Sequence, residues 1–398
     1  MRVLFLAPQP FYEVRGTPLA VAALTRTLGE LGHDVDLLTF PQGDAWSAPR
    51  VRHLRSARVS GGRIRPGFSM AKVIQDIPFT WSAVRLARSG AYDVVHAVEE
   101  AAFLVAPFLP RGVKFVVDMD SDLGEQLAQS KSVVAQALAP FARRLHDRSL
   151  RRADLAIVIN ARLEESVRQV RPALPIHRIE DPPLVSTPGD ADREAAVRLR
   201  RELDLGEAPV ALYTGNFERY QGVLMMAQAA ALAERALFVF VGGEAEDIAG
   251  LKSQLTSEAL SRCRFAGQQP PDTLPRWMAL ADVLVSPRTL GGNTPFKVYT
   301  YLASGKPIVA THLDTHTQVL SSDTAFLVEP NAAALAAGID AALGHPEERA
   351  RRARNGRALL DREYSAERYR EKVQAAYRRL APAGDDTLGS NRPSRGGF

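Results

Sequence analysis

The segment Ser286–Lys297 (SPRTLGGNTPFK) gathers residue types that bind phosphate. It follows a short apolar run and leads into Pro295–Ser304 (PFKVYTYLAS), which reads as a helix. Thr294 or Asn293 suits the capping position, and Pro295 suits the first turn. Free N–H groups at such a helix start, with about half a unit of positive charge from the aligned peptide dipoles, face whatever lies in front of it. Gly291 and Gly292 let a ligand come close to the backbone. Lys297 stands in the first turn, where an acid is the usual choice, and Arg288 flanks the loop. Both placements make sense if the occupant is an anion such as a diphosphate. Read purely as structure, the same residues make a capped helix with a solvated lysine.

Other reactive groups also follow apolar runs. His96 closes Asp93–His96 (DVVH), with Glu99 and Glu100 just beyond. An imidazole titrates near neutrality and is a candidate base, with Glu100 beside it, whereas a strand-end histidine followed by helix-start acids is the structural alternative. Gly242, Gly243 and Glu244 follow one strand, and Gly267, Gln268 and Gln269 another; each group is either ligand contact or turn chemistry. Arg143, Arg144, Arg148, Arg151 and Arg152 form a basic cluster, read either as a solvated helix face or as a patch for a membrane surface.

The elements that must position these groups alternate. Arg2–Ala7 reads as a buried strand, a helix runs from about Thr17 to Leu31, and Asp34–Phe40 is the next strand. Asp93–His96, Lys114–Asp118 and Asp154–Asn160 continue the series. Residues 176–192 are rich in proline and aspartate and mark a boundary. A second series follows: strands at Val210–Thr214, Leu237–Val241, Cys263–Ala266, Val283–Ser286, Ile308–Thr311 and Ala325–Val328, with a helix from about Val223 to Glu234. Helices fill the stretch from about Asn331 to Leu380. The pattern predicts an α/β chain of two Rossmann-like, doubly wound domains facing an interdomain cleft, with ligands at the carboxyl ends of the strands. The expected limits are 1–185 and 186–360, a C-terminal helix over 361–380 that crosses back to the first domain, and a disordered tail over 381–398.

Composition sets the outer bounds. A chain of 398 residues exceeds one ordinary core, which supports two domains. No apolar run reaches the ~18 residues of a membrane span. Met1–Ala7 is short and lacks a cleavage site, so no signal peptide is expected. Cys263 is the single cysteine, which rules out an internal disulfide and a multi-cysteine zinc site and fits the reducing cytoplasm. The net charge of +5 reflects either arginine-rich solubility or an anionic partner: a nucleotide diphosphate, a lipid phosphate or a membrane surface. No zinc-finger, aromatic RNA-binding or basic-zipper pattern occurs, so nucleic acid is not an expected partner.

GGNTPFKVYTYLASGKPIVAT resembles the donor-site segment of the retaining glycosyltransferases of family four, which have the GT-B fold. VRGTPLAVAALTRTLGELGHDVDLLT resembles the family's amino-terminal loop and helix, YTGNFERYQG the start of its donor domain, and FAGQQPPDTLPRWMALADVLVSP its base-binding strand and following helix. The similarity spans roughly residues 1–375 in the family's order. It implies transfer of a sugar from a nucleotide diphosphate sugar to a cell-envelope glycan, a lipid-linked or a small-molecule acceptor, with retention, no metal and no tightly bound cofactor. It also implies a cytoplasmic enzyme, in peripheral contact with the inner face of the membrane. Lys297, Arg288, Gly292, Asn293, Thr294, Pro295 and Phe296 would hold the diphosphate. Gly16 and Thr17 match the glycine loop near donor and acceptor, Gly267 and Gln268 match where the family holds the base through backbone groups, and Gly243 is a further donor-side candidate.

The chain departs from the family pattern. Asn216 and Gln221 fall where an arginine and a lysine are usual, with Arg219 between them. Gly292 and Thr300 stand where two glutamates are usual, leaving Thr300 a hydroxyl for the ribose. Asp120 replaces a histidine and would face the transferred sugar. These departures motivate a rival reading, a weakened relative that binds a nucleotide sugar as a sensor or partner subunit. A GT-B epimerase or hydrolase is a further alternative. A dinucleotide oxidoreductase is disfavoured, because the first turn reads Ala7–Pro8–Gln9–Pro10–Phe11 and not G-x-G-x-x-G.

Overall fold

The computed structural model describes residues 1–13, 16–59, 64, 70–121, 124, 133–185 and 187–381, without the side chains of 133–135 and 138. The tail expected beyond residue 381 lies outside the described residues. Contacts divide the chain into two units. The first holds Met1–Tyr12, Val21–Arg178 and the described residues from Glu371 onward; the second holds Glu13–Ala20 and Ile179–Arg370. The sequence had placed these divisions at 185/186 and 360/361.

The first unit is built on a seven-stranded parallel sheet: β1 (Arg2–Ala7), β2 (Asp34–Thr39), β3 (Val51–Arg55), β4 (Val94–Val98), β5 (Lys114–Met119), β6 (Leu155–Val158) and β7 (Ile176–Arg178), in the order β3-β2-β1-β4-β5-β6-β7. The central strands are buried on both faces, which is why they read as unbroken apolar runs. The edge strands β3 (VRHLR) and β7 (IHR) are half-exposed and mixed in polarity. The sequence reading placed no strand at either, because an edge needs only one apolar side.

The second unit carries a six-stranded parallel sheet: β8 (Val210–Thr214), β9 (Leu237–Val241), β10 (Cys263–Gly267), β11 (Val283–Ser286), β12 (Ile308–Thr311) and β13 (Phe326–Val328), in the order β10-β9-β8-β11-β12-β13. Successive strand residues feed opposite layers. Leu212, Val239 and Leu284 pack on one face with Trp277 and Leu302, while Tyr213, Phe240 and Val285 pack on the other with Met226 and Ile339. Each such buried side chain contributes roughly 1.5–3 kcal/mol over its exposed state.

Six helices matter below: α1 (Gly16–Glu30), α2 (Met70–Ala87), α3 (Glu100–Val105), α4 (Val133–Arg152), α5 (Phe296–Ser304) and α6 (Ala366–Arg378). Among the described residues no helix is long and apolar enough to cross a membrane. In both sheets the strand order reverses beside the first strand, at β1/β4 and at β8/β11. Such switch points leave a crevice at the carboxyl ends of the strands, where ligands bind in open α/β sheets.

Candidate functional site

The β8/β11 switch point collects the predicted phosphate residues. β8 runs into Gly215–Gly222, and β11 runs into Pro287–Pro295. Thr289 N–H donates to the Tyr220 carbonyl at 3.0 Å, tying the two loops together. The glycines are there for space. A Cβ on Gly215 (φ 137°) would lie 2.8 Å from Lys297 Nζ, one on Gly242 would lie 1.9 Å from the Gly215 carbonyl oxygen, and one on Gly243 would lie 2.7 Å from the Phe217 ring.

Lys297 is only 9% exposed. Its Nζ sits 3.8 Å above the Tyr213 ring and donates to Gln221 Oε1 at 3.2 Å. Burial first, and then the Arg288 charge, push its pKa well below the ordinary lysine value. Arg288 is also largely inside: its guanidinium donates to the Asn293 carbonyl at 2.8 Å and Thr315 Oγ1 at 3.0 Å, and lies over the Tyr220 ring. Its Nε is buried without a partner, and burial lowers its pKa. Among the described residues no carboxylate forms an ion pair with either cation. Two partly desolvated cations without a counter-ion form an unfavourable arrangement that an anion would relieve.

The helix in front of them starts one residue later than the sequence suggested. Pro295 is the cap residue itself (φ −71°, ψ 142°), and α5 begins at Phe296. Proline fixes φ near its observed value and leaves ψ free, so an extended cap suits it. Neither Asn293 nor Thr294 caps the helix: no side chain does, and its first turn holds no acid. Thr294 hydrogen-bonds the Tyr299 side chain instead. The Asn293 and Gly292 carbonyls are held by Arg288 and by Gln318 Nε2. Val298 N–H donates to the Pro295 carbonyl at 2.9 Å, which leaves the Phe296 and Lys297 amides at the helix start for a ligand or water.

The remaining donor candidates divide. Gln221, which the sequence placed only as a missing cation, is buried and touches Lys297. Asn216 and Arg219 are exposed; Asn216 Oδ1 accepts from Glu218 N–H at 3.4 Å, a turn-forming bond that does not reach the two cations. Thr300 is buried, and its hydroxyl accepts from Leu184 N–H at 3.2 Å and donates to the Phe296 carbonyl at 3.4 Å. This is the hydroxyl the sequence reading offered to a ribose, and the fold uses it to hold the segment before residue 187. Gly267 ends β10 with φ 65°, and Gln268 is exposed beyond it. Gly16 and Thr17 open α1, and a Cβ on Gly16 would meet nothing within 4 Å.

The β1/β4 switch point of the first unit holds the opposite chemistry. Glu99 caps α3 in a strained conformation (φ 49°, ψ −124°) and accepts from Ser121 Oγ at 2.8 Å. Glu100 is buried and ion-paired to Lys72 of α2, with Asp76 one turn along. Burial and then Glu100 raise the pKa of Glu99, and the same two causes push Asp76 up to about 8. Burial opposes the Lys72 charge, yet Glu100 and Glu99 hold its pKa above the usual value. Asp120 is half-buried in the bend after β5, next to Ser121. Neither Lys72 nor Asp76 was singled out in the sequence, because both sit within a long apolar helix.

His96 lies deeper than its place at a strand end suggested. It lies inside β4 with no exposure, Nε2 2.9 Å from Asp118 and Nδ1 2.7 Å from the Tyr377 hydroxyl. Both nitrogens are engaged and the ring stacks on Phe5, so it is a core residue that anchors α6 and not a base at a surface. Glu100, likewise, is buried, and its carboxylate is ion-paired to Lys72.

Comparison with known proteins agrees with this fold. Residues 208–345 match the family described as "Glycosyl transferases group 1", and residues 15–182 match "Glycosyl transferase 4-like domain". Among solved structures, sucrose-phosphate synthase from Thermosynechococcus elongatus superposes with a TM-score of 0.75 at 22% identity, covering 95% of this chain and 98% of that one. Anabaena HepE, solved in complex with UDP and glucose, gives 0.74 at 18% identity, covering 95% and 99%. WaaG, a glycosyltransferase involved in lipopolysaccharide biosynthesis, gives 0.69 at 16% identity, covering 94% and 99%. No curated protein sequence matches the chain.

Proposed function

We propose, for a chain that belongs to the group 1 glycosyltransferases of the GT-B fold, that it moves a sugar from a nucleotide diphosphate sugar to a cell-envelope glycan, lipid-linked or small-molecule acceptor with retention of configuration. The observation that carries this reading is the pair Lys297 and Arg288: cations without a carboxylate, beside a helix start that no side chain caps. A diphosphate fits that chemistry. In the reaction the bond between the anomeric carbon and the diphosphate oxygen breaks, and negative charge builds on the leaving group. Lys297, Arg288 and the α5 amides stabilise that charge, and such preorganised electrostatics is usually the largest catalytic effect. The acceptor oxygen bonds to the same face of the sugar, and its proton passes to the departing phosphate.

We take the donor to be a substrate and assign no resident cofactor. HepE was solved with UDP, UDP and glucose, and UDP-glucose, which makes uridine diphosphate the first nucleotide to test. Asp120 is the residue we assign to the transferred sugar, and we place the reaction in the cytoplasm.

A second reading has one observation in its favour. Thr300 turns its hydroxyl inward, and neither it nor Gly292 supplies a carboxylate. On that reading the protein binds a nucleotide sugar without transferring it. A thermal-shift screen of UDP-, GDP-, ADP- and TDP-sugars, followed by assay of hydrolysis or transfer, separates the two. Ligand at 100 times its Kd adds about 2.7 kcal/mol. We expect one nucleotide to stabilise the protein and its sugar to be turned over. Binding without turnover favours the sensor. A ligand-bound structure with phosphate more than ~10 Å from Lys297, beyond the screening length at ordinary salt, overturns the assignment.

A further inference from the structure

The stretch that begins at the end of β12 grips the loop that carries Arg288. Thr311 closes β12, and its hydroxyl donates to the Arg288 carbonyl at 2.7 Å. Thr315 and His316 lie in the short helix Asp314–Thr317 that follows, and both are fully buried. The Thr315 hydroxyl accepts from Arg288 Nη1 at 3.0 Å and donates to the Asn293 carbonyl. Just beyond, Gln318 Nε2 donates to the Gly292 carbonyl at 2.7 Å. Hydrogen bonds from one segment therefore fix both ends of the loop from Arg288 to Asn293.

His316 anchors that segment to the sheet. Its Nδ1 lies 2.8 Å from the Thr311 carbonyl, and its Nε2 lies 2.8 Å from Ser286 Oγ at the end of β11. A carbonyl can only accept, so Nδ1 carries the proton and Nε2 accepts from the serine hydroxyl. The imidazole thereby ties the ends of β11 and β12 together. Burial lowers its pKa to about 4 against the opposing Thr311 hydrogen bond, and the Arg288 and Lys297 charges add to the fall. The ring is therefore neutral at neutral pH. A serine hydroxyl on an imidazole is also the geometry of an activated nucleophile. Ser286 and His316 have no exposure, however, which leaves holding the loop as their role.

The acceptors that hold the Arg288 guanidinium are neutral: the Asn293 carbonyl and the Thr315 hydroxyl. A carboxylate would bind a guanidinium more tightly, and it would also cancel its charge. Neutral acceptors fix the fork and leave that charge to an incoming anion, which is what preorganised electrostatics requires. Arg288 Nε, buried without a partner, is left to the same anion. We propose that Thr311, Thr315 and His316 are positioning residues, which aim Arg288 at the donor diphosphate before the donor arrives. They act through Arg288 and need not touch the ligand. The inference rests on the diphosphate reading of this crevice and adds the part of the chain that tunes it.

The test is a double-mutant cycle on the full-length protein, read by phosphorus NMR titration with inorganic pyrophosphate, the group common to every nucleotide diphosphate. Arg288→Ala should weaken binding about tenfold, the usual cost of a hydrogen bond to a charged group. Thr315→Val keeps the shape and deletes the hydroxyl, and should weaken binding about fivefold. Thr315→Ser restores the hydroxyl and should bind like the wild type. In the Arg288→Ala background Thr315→Val should cost nothing further, since its effect passes through the missing guanidinium. Should the valine variant fail to fold, Thr315→Ala removes the same hydroxyl and is read in the same cycle. Wild-type affinity in the folded hydroxyl-free variant, or a full further loss in the Arg288→Ala background, overturns the positioning role and leaves the diphosphate reading standing. A wild type that binds no pyrophosphate, or an Arg288→Ala variant that binds it unchanged, overturns the diphosphate reading and this inference with it.

Discussion

The two switch points share one strand order and carry opposite charge. At β8/β11, Lys297 and Arg288 form no ion pair with a carboxylate among the described residues; at β1/β4, Glu99, Glu100 and Asp76 surround one ammonium, Lys72. Burial works on each in the direction its charge dictates, lowering Lys297 and raising Asp76. The difference teaches that topology supplies a crevice and side chains decide its occupant. The basic crevice has no ion-paired carboxylate among the described residues. The acidic one already contains its cation, Lys72.

The largest break in this comparison is Lys297→Met. Removing one preorganised donor to a developing oxyanion typically costs about 10²–10³ in rate, and nucleotide affinity should fall with it. The ligand-free protein should melt at a higher temperature, because an apolar side chain of similar length replaces a buried cation with no counter-ion. Kinetics, calorimetric titration and thermal melting together check this. A variant that is less stable and still active would show that Lys297 is structural.

Asp76→Asn probes the acidic crevice and should have a smaller effect. The folded-state pKa of Asp76, about 8, lies above its ordinary value of 3.8. The stability tied to its bound proton is therefore present at low pH and lost as pH rises through the folded value. An amide cannot ionise, so the variant should gain a few degrees of melting temperature near pH 8 and less near pH 5. Equal gains at both would mean that Asp76 does not hold a proton in the fold.

Much of this was legible in the residues. Buried parallel strands announce themselves as apolar runs, and Val210–Thr214, Leu237–Val241, Val283–Ser286 and Ile308–Thr311 agree with the structure at both ends. Edges such as β3 and β7 do not, because half their side chains meet water. The loop carrying Arg288 and Lys297 was readable because glycine, proline and a misplaced lysine each break a local rule. Which way a polar group points was not readable. Thr300 and His96 have the composition of site residues, and only long-range packing against Leu184 and Tyr377 shows that their hydrogen bonds are internal. Lys72 and Asp76 were hidden for the converse reason, since the same helix buries Gln75 beside Phe79 and leaves Ile77 and Trp81 exposed, so polarity alone does not mark its inward face.

The smallest expected effect comes from Tyr377→Phe, and it tests the reassignment of His96. The hydroxyl reaches across 281 positions of sequence to His96 Nδ1, and it is buried. Its loss removes one internal hydrogen bond at nearly constant shape, so denaturant unfolding should report about 1 kcal/mol of lost stability. If His96 only anchors α6, turnover by the folded enzyme and its pH profile should match the wild type. If His96 were instead the base for the acceptor, loss of its Tyr377 partner would disturb the imidazole that must meet the acceptor, and turnover would fall along with stability. Turnover by the folded variant, more than the size of the stability loss, is what distinguishes a core histidine from a catalytic one.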